Sequence, residues 1–432
     1  MNAAIYTLGC KVNQYESQAL RELLEREGFS VVAPDEDADV YIVNSCTVTA
    51  VADQKTRQRV RRCKREHPDS IVVLTGCMAQ AFPKDAEALP EADIILGHRS
   101  QAQLPALLAE YQKFGKRVVR VPAHESKEPF TGARITTFDE RTRACVKIED
   151  GCNRFCSYCV IPYARGRVRS KPLEELKAEL EAVAAKGYRE VVLIGINLSA
   201  YGQDIDKTFP DAVRLANSID GIDRVRLGSL EPDHLTDAVI DALAGCKKLC
   251  GQFHISLQSG CDRTLKRMNR HYTAAEYRAL AQKLRAAFPG CTLTTDVMVG
   301  FCGETDDDFE ESLRFVESIG FEKLHVFPYS VREGTKAAAL PGHLPKRVKD
   351  ERAARMLQLG DELRKRFFTS QIGHTVRVLF ESAPKEGVYT GYTANYLPVQ
   401  AESDEDLCGK EIAVHITGVG HGDYVIGTVC EE

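Results

Sequence analysis

Twice along this 432-residue chain, short apolar runs alternate with stretches of helical periodicity, and that double alternation limits what the chain can fold into. In the first series the apolar runs fall at 3–8, 40–43, 71–74 and 93–96, with helical patterns such as 15–26 and 50–65 between them. Alternating strands and helices build a parallel sheet covered on both faces, which predicts a flavodoxin-like α/β domain over residues 1–116. A stretch bearing prolines and charges, 117–138, reads as a linker. From residue 144 the runs VKI, EVVLIG, VRLGSL, FHISLQS, TLTTDVMVGF and KLHVFPYS predict six more strands. With helices between them they fit a partial (β/α)6 barrel over 139–369. Beyond 370 the pattern changes to about five short strands broken by glycines, which predicts a small OB-like β-barrel over 370–432.

Composition excludes several classes. No apolar stretch approaches the roughly 20 residues that span a bilayer, so no membrane partner is expected. The start, MNAAIYTLGC, lacks the basic region and apolar core of a signal peptide. Fifteen cysteines without export signals favour a reducing, cytoplasmic setting and metal ligation over disulfides. The net charge of −5 means that any nucleic-acid partner must be met by local basic patches.

Three cysteines stand together in GCNRFCSYC, where Cys152, Cys156 and Cys159 follow the first predicted barrel strand. Barrels of this kind carry their chemistry at that end. A four-iron cluster held by four thiolates is closed and only passes electrons, whereas three thiolates leave one iron open to a ligand. Zinc is the competing reading, but zinc fingers pair C-x2-C with a second pair and none follows here. In the first domain Cys10, Cys46 and Cys77 each follow a predicted strand, in IYTLGC, YIVNSC and VVLTGC. Strand ends of a parallel sheet share one edge, so these three thiols converge into a second three-cysteine site. Gly9 and Gly76 beside them supply backbone freedom. The other nine cysteines read as structural.

The spacing of Cys152, Cys156 and Cys159, with the aromatic Tyr158, resembles the signature of the radical S-adenosylmethionine (SAM) enzymes. The whole chain is similar to the methylthiotransferases, which join such a barrel to an N-terminal three-cysteine domain and a C-terminal TRAM domain. TLGCKVNQYES, NSCTVTAVADQKTRQ and IPYARGRVRS resemble the branch acting on N6-threonylcarbamoyladenosine in tRNA. The resemblance implies two [4Fe-4S] clusters, one on each triad, and two SAM molecules per turnover. The open iron at Cys152, Cys156 and Cys159 would chelate SAM and yield a 5′-deoxyadenosyl radical. The cluster at Cys10, Cys46 and Cys77 would present the sulfur. The product implied is a 2-methylthio group at adenosine C2, next to the anticodon. That C–H bond has no useful acidity, so a hydrogen-abstracting cofactor must do what acid–base catalysis cannot. The alternatives are methylthiolation of isopentenyladenosine in tRNA, methylthiolation of a ribosomal-protein aspartate, and a non-catalytic iron–sulfur RNA sensor. The implied partners are tRNA and an electron donor such as a flavodoxin or ferredoxin, and the protein is expected to be a monomer.

Candidate SAM contacts are Tyr158, beside the adenine, and the strand-end residues Gly195, Asn197, Ser229, Glu231, Gln258, Ser259, Arg270 and Asp296. Arg270 is singled out to face a carboxylate. RNA contact is expected from Lys55, Arg57, Arg59, Arg61, Arg62, Lys64 and Arg65 on one predicted helix. Arg165, Arg167 and Arg169 are added because alternate residues of an extended chain point to one side. The terminal domain sets only Arg377, Lys385 and Lys410 against ten carboxylates, which argues against it as the main phosphate anchor. Tyr389, Tyr392 and Tyr396 remain there as candidates for stacking on bases.

Overall fold

The computed structural model of the protein describes residues 1–132, 135 and 142–430. Residues 133, 134 and 136–138 of the predicted linker lie outside the described residues, as do 139–141 of the predicted barrel region and 431–432 at the end.

Strands β1 (Asn2–Thr7), β2 (Ser30–Val32), β3 (Val40–Ser45), β4 (Ile71–Gly76), β5 (Ile94–Leu96) and β6 (Val118–Arg120) form a parallel sheet in the order β2-β1-β3-β4-β5-β6. Strands β3 and β4 are buried at every position, as central strands covered on both faces must be. Successive side chains divide between two cores. Ala3, Ile5, Val40, Ile42 and Val73 pack with Leu20, Leu24 and Leu108 on one face. Ala4, Val43, Val72 and Leu74 pack with Val60, Met78 and Leu89 on the other. The period of two along each strand produces this division. Helix α1 (Lys11–Arg26) follows β1, and α2 (Ala50–Glu66) follows β3 after a cap by Thr49 Oγ1 on the Ala52 N–H.

The second region contains β7 (Arg143–Lys147), β8 (Glu149–Asp150), β9 (Arg169–Ser170), β10 (Glu190–Ile194), β11 (Arg224–Leu227), β12 (Ser229–Leu230), β13 (Gln252–Ile255), β14 (Thr292–Val299) and β15 (Lys323–Pro328). Its parallel strands run β11-β10-β7 and β12-β13-β14-β15. The predicted strand VRLGSL is divided at Gly228, whose N–H reaches Leu193 O at 2.9 Å, so β11 and β12 are two halves of one barrel stave. Strands β8 and β9 pair antiparallel and clasp the base of the cysteine loop.

The 25-residue helix Lys346–Ser370 leads into the last region. There β16 (Thr375–Lys385), β17 (Val388–Thr393), β18 (Pro398–Glu402), β19 (Glu411–Val419) and β20 (Val425–Val429) close into a barrel in the order β16-β17-β18-β20-β19. It docks on the N-terminal ends of the large barrel's strands, opposite the cysteine loop. Arg224 donates to Tyr392 O and Arg226 to Ala394 O, both at 3.0 Å, and Thr292 Oγ1 donates to Asn395 O at 2.6 Å.

Candidate functional site

Each cysteine of the first triad sits where a strand hands over to a loop or helix. Cys10 is the residue before α1, Cys46 follows β3, and Cys77 opens the short helix Cys77–Ala81 after β4. Two glycines allow the approach. Gly9 has φ +122°, and a Cβ there would lie 2.8 Å from Cys46 Cβ. Gly76 has φ +93°, and its Cβ would lie 2.4 Å from Ser45 O. Asn13 Nδ2 ties α1 to Ser45 O at 3.1 Å, while Cys10 Sγ lies 3.3 Å from Asn13 Oδ1. Burial pushes the Cys46 thiol up and the Cys77 thiol up to about 12, with the neighbouring cysteines adding to both.

The second triad lies in the loop between β8 and β9. Phe155 adopts a left-handed backbone (φ 49°), and Asn269 Nδ2 holds its carbonyl at 3.1 Å. A bulky residue in that region is over-determined by its surroundings and marks a loop built for a purpose. The sulfurs are already addressed by N–H groups. The Arg154 N–H approaches Cys152 Sγ at 3.5 Å, the Ile161 N–H approaches Cys159 Sγ at 3.4 Å, and Arg270 Nη1 approaches Cys156 Sγ at 3.3 Å. Burial raises the Cys152 thiol strongly and the Cys159 thiol to about 12, so metal loading must displace protons. The group of three potential ligands with donor atoms within 4.8 Å of one another, among the described residues, is Cys261, Asp308 and Glu311.

The predicted SAM contacts divide. Asn197 Nδ2 is 3.8 Å from Cys152 Sγ, and its N–H donates to Glu149 Oε2 at 2.7 Å. Gly195 is needed beside it, since a Cβ there would come within 2.6 Å of Glu149 Oε2. Burial pushes the Glu149 carboxyl well above the usual range, and the Asn197 N–H, Lys147 and Arg169 offset it only in part. Arg270 is buried and pairs with Glu231 while reaching Ser256 O at 3.2 Å, so its carboxylate here is the protein's own. Gln258 is left-handed (φ 65°), and its N–H bonds Asp296 O at 2.8 Å. The Asp296 carboxylate faces His254 Nε2 at 3.3 Å. Tyr158 packs edge-on to Phe301 at 6.3 Å. Ser229 is exposed, and Ser259 turns away to accept from the Cys261 N–H at 3.2 Å. The sequence reading missed Arg154, inside the cysteine loop itself, which contacts Asp233 Oδ2 at 2.7 Å and Glu231 at 3.5 Å. It also missed Glu16, six positions after Cys10.

Two expected RNA contacts are corrected. Arg165 is fully buried and Arg169 nearly so. The segment Ile161–Arg165 is helical and Gly166 follows with φ 72°, so the alternation of an extended chain does not apply. Acids from elsewhere claim both side chains: Glu16 for Arg165, and Asp150 at 3.3 Å and Glu128 at 3.2 Å for Arg169. Arg167 is exposed and lies over the Phe155 ring at 4.8 Å. On α2, Lys55, Arg61, Arg62 and Arg65 are exposed. Arg57 faces Asp85 at 3.6 Å, Arg59 covers Tyr6 at 4.1 Å, and Lys64 is held by Asp93 at 2.9 Å. The tyrosines offered for base stacking are also corrected. Tyr392 and Tyr396 stack on each other at 4.5 Å and under Arg143, sealing the two barrels together, and Tyr389 is buried.

The two triads are linked through the helix Cys77–Ala81, which packs against Ile161–Arg165, the segment following Cys159. A partial parallel barrel with an open three-thiol loop after its first strand is the arrangement of a radical SAM enzyme. Residues 146–316 match the radical SAM superfamily, and 2–97 match a family described as uncharacterized protein family UPF0004. The structure of the radical SAM methyltransferase TsrM from Kitasatospora setae shares the fold, with a TM-score of 0.58 at 16% identity over 78% of this chain and 76% of that one. The threonylcarbamoyladenosine tRNA methylthiotransferase MtaB of Bacillus subtilis is 37% identical over 97% of this chain and 94% of its own length. Its namesake in Thermotoga maritima is 38% identical over 91% and 89%. The tRNA-2-methylthio-N(6)-dimethylallyladenosine synthase of Pelotomaculum thermopropionicum is 35% identical over 96% and 94%. The chain belongs to the radical SAM methylthiotransferase family.

Proposed function

We propose that this protein adds a 2-methylthio group to C2 of N6-threonylcarbamoyladenosine, next to the anticodon of tRNA. The observation that carries the reading is the packing of the helix opened by Cys77 against the segment that follows Cys159, joined to relatives that bear that activity in their names. The residues fit the groups this chemistry requires. Each site offers three thiols, and a buried acceptor beside the barrel triad, Asn197 Oδ1, has no partner among the described residues. A buried acceptor left unpaired costs about 1–3 kcal/mol, and a SAM ammonium would satisfy it. When bound, a cluster at Cys152, Cys156 and Cys159 with SAM supplies hydrogen abstraction, and one at Cys10, Cys46 and Cys77 with a second SAM supplies methylated sulfur.

The chain's own residues do the rest. Arg270 and Asn197 donate toward the barrel sulfurs and fix the orientation of the loop, while Glu231 holds Arg270 in place. Tyr158 and Phe301 keep that end of the barrel dry. The exposed cations of α2 and Arg167 meet phosphates. Among the described residues, no helix is long and apolar enough to cross a membrane. We place the enzyme in the cytoplasm as a monomer that draws electrons from a flavodoxin or ferredoxin. Mass spectrometry of tRNA nucleosides from cells with and without the protein tests the proposal. Loss of the 2-methylthio form of threonylcarbamoyladenosine is expected on deletion. Loss of the isopentenyl counterpart instead would overturn the choice of substrate.

A further inference from the structure

Arg165 is a cation placed between a cysteine sulfur and two carboxylates. One edge of its guanidinium addresses Cys77, with Nε 3.4 Å and Nη2 3.3 Å from Sγ. The other edge pairs with Glu16, Nη1 with Oε1 and Nη2 with Oε2 at 3.0 Å, and Asp150 Oδ1 stands 3.7 Å from Nη1. The group is fully buried, and desolvating a guanidinium costs several kcal/mol unless its donors are met. Glu16 comes from α1, just beyond Cys10, and against its burial Arg165 and Lys147 hold its carboxyl well below the usual range. Arg165 itself ends the segment that begins two residues after Cys159. One side chain therefore starts six residues beyond the radical triad and ends on a sulfur of the other.

We infer that Arg165 is a positioning residue that carries electrostatic control of the Cys10, Cys46 and Cys77 site, with Glu16 as its counterweight. The inference rests on the reading that this site holds an iron–sulfur cluster. N–H donors and positive charge at a cluster sulfur stabilise the reduced, more negative state, and buried anions oppose it. The site thus has one lever of each sign, both built from side chains the barrel chemistry leaves unused.

The test uses the full chain with Cys152, Cys156 and Cys159 changed to alanine, reconstituted without oxygen so that only the second site loads. Iron content is measured, together with the midpoint potential from a redox titration followed by electron paramagnetic resonance. Adding Arg165→Gln should lower the midpoint, Arg165→Lys should restore part of it, and Glu16→Gln should raise it. A residue that merely holds the fold would change iron content without these opposite shifts. An unmoved or raised midpoint in Arg165→Gln at full iron content overturns the inference alone. Should Arg165→Gln lose its iron, Glu16→Gln decides: a rise supports the inference and no change overturns it. A background variant that binds no iron overturns the two-cluster reading, and this inference with it.

Discussion

Arg332 and Asp53, 279 positions apart, form a buried ion pair at 2.5 Å across the junction of the first domain and the large barrel. Arg332 follows β15, and the same Nη2 reaches Thr47 Oγ1 at 2.7 Å, one residue past Cys46. Its guanidinium lies over the Phe82 ring at 5.1 Å, and the Ala50 N–H meets Ser330 Oγ at 3.1 Å. The Cys46 loop is thereby fixed relative to the barrel by side chains that touch neither triad.

Removing one partner of a buried pair leaves the other charge uncompensated, at a cost of about 3–5 kcal/mol. Arg332→Ala is expected to lower the thermal midpoint and to loosen coupling between the sites. The ratio of 5′-deoxyadenosine formed to methylthio product should rise. A variant as stable and as tightly coupled as the parent would show that this contact does not set the geometry.

The two triads should separate by function. Anaerobic reconstitution of the protein is expected to bind about eight irons as two cubes. Alanine at Cys152, Cys156 and Cys159 should leave about half the iron and abolish SAM cleavage. Alanine at Cys10, Cys46 and Cys77 should also leave about half, but deoxyadenosine should still form while no methylthio product appears. SAM cleavage by the first variant, or methylthiolation by the second, would break the assignment of roles.

Much of this arrangement is legible in the sequence because it depends on local rules. Cys10, Cys46 and Cys77 could be placed together since strand ends of a parallel sheet share an edge. The divided strand at Gly228 still counted as one stave. What was not legible depends on contacts between distant segments. Strands β2 and β6, three residues each, are too short to display a period. Arg165 and Arg169 read as a basic stripe until Glu16, Asp150 and Glu128 are brought to them by the fold. Tyr392 and Tyr396 look available in sequence and are taken up by Arg143. A side chain's chemistry was visible in each case, but its partner was not.

His98 gives a pH dependence with a definite sign. Burial, helped by nearby Arg165, lowers its pKa to about 3 from an ordinary 6.5. Below about 6.5 the unfolded chain takes up a proton that the folded protein refuses. This contribution to stability is therefore intact above pH 6.5 and is lost as pH falls toward 3. Between pH 7.5 and 5.5 the loss is about 1.4 kcal/mol. His98→Gln should flatten the fall in denaturation free energy over that interval by the same amount. An unchanged slope would mean that the imidazole titrates normally in the folded state.

Charge reversal on α2 locates the RNA surface, and the structure selects which cations to use. Lys64 is only 27% exposed and bonds both Asp93 and Ser70 O at 2.9 Å, so reversing it would disturb the fold. Lys55, Arg61 and Arg65 project outward, the last 72% exposed. Their replacement by glutamate should weaken tRNA binding. The dependence of log affinity on log salt should flatten by about 0.7–0.9 for each phosphate no longer neutralised. SAM cleavage without tRNA should be unaffected, because these side chains lie outside the barrel. The same change at Lys385 and Lys410 should matter less, since the terminal domain sets only three Lys and Arg against ten carboxylates. If the terminal-domain variant binds tRNA more weakly than the α2 variant, the phosphate anchor lies on the small barrel despite its net charge.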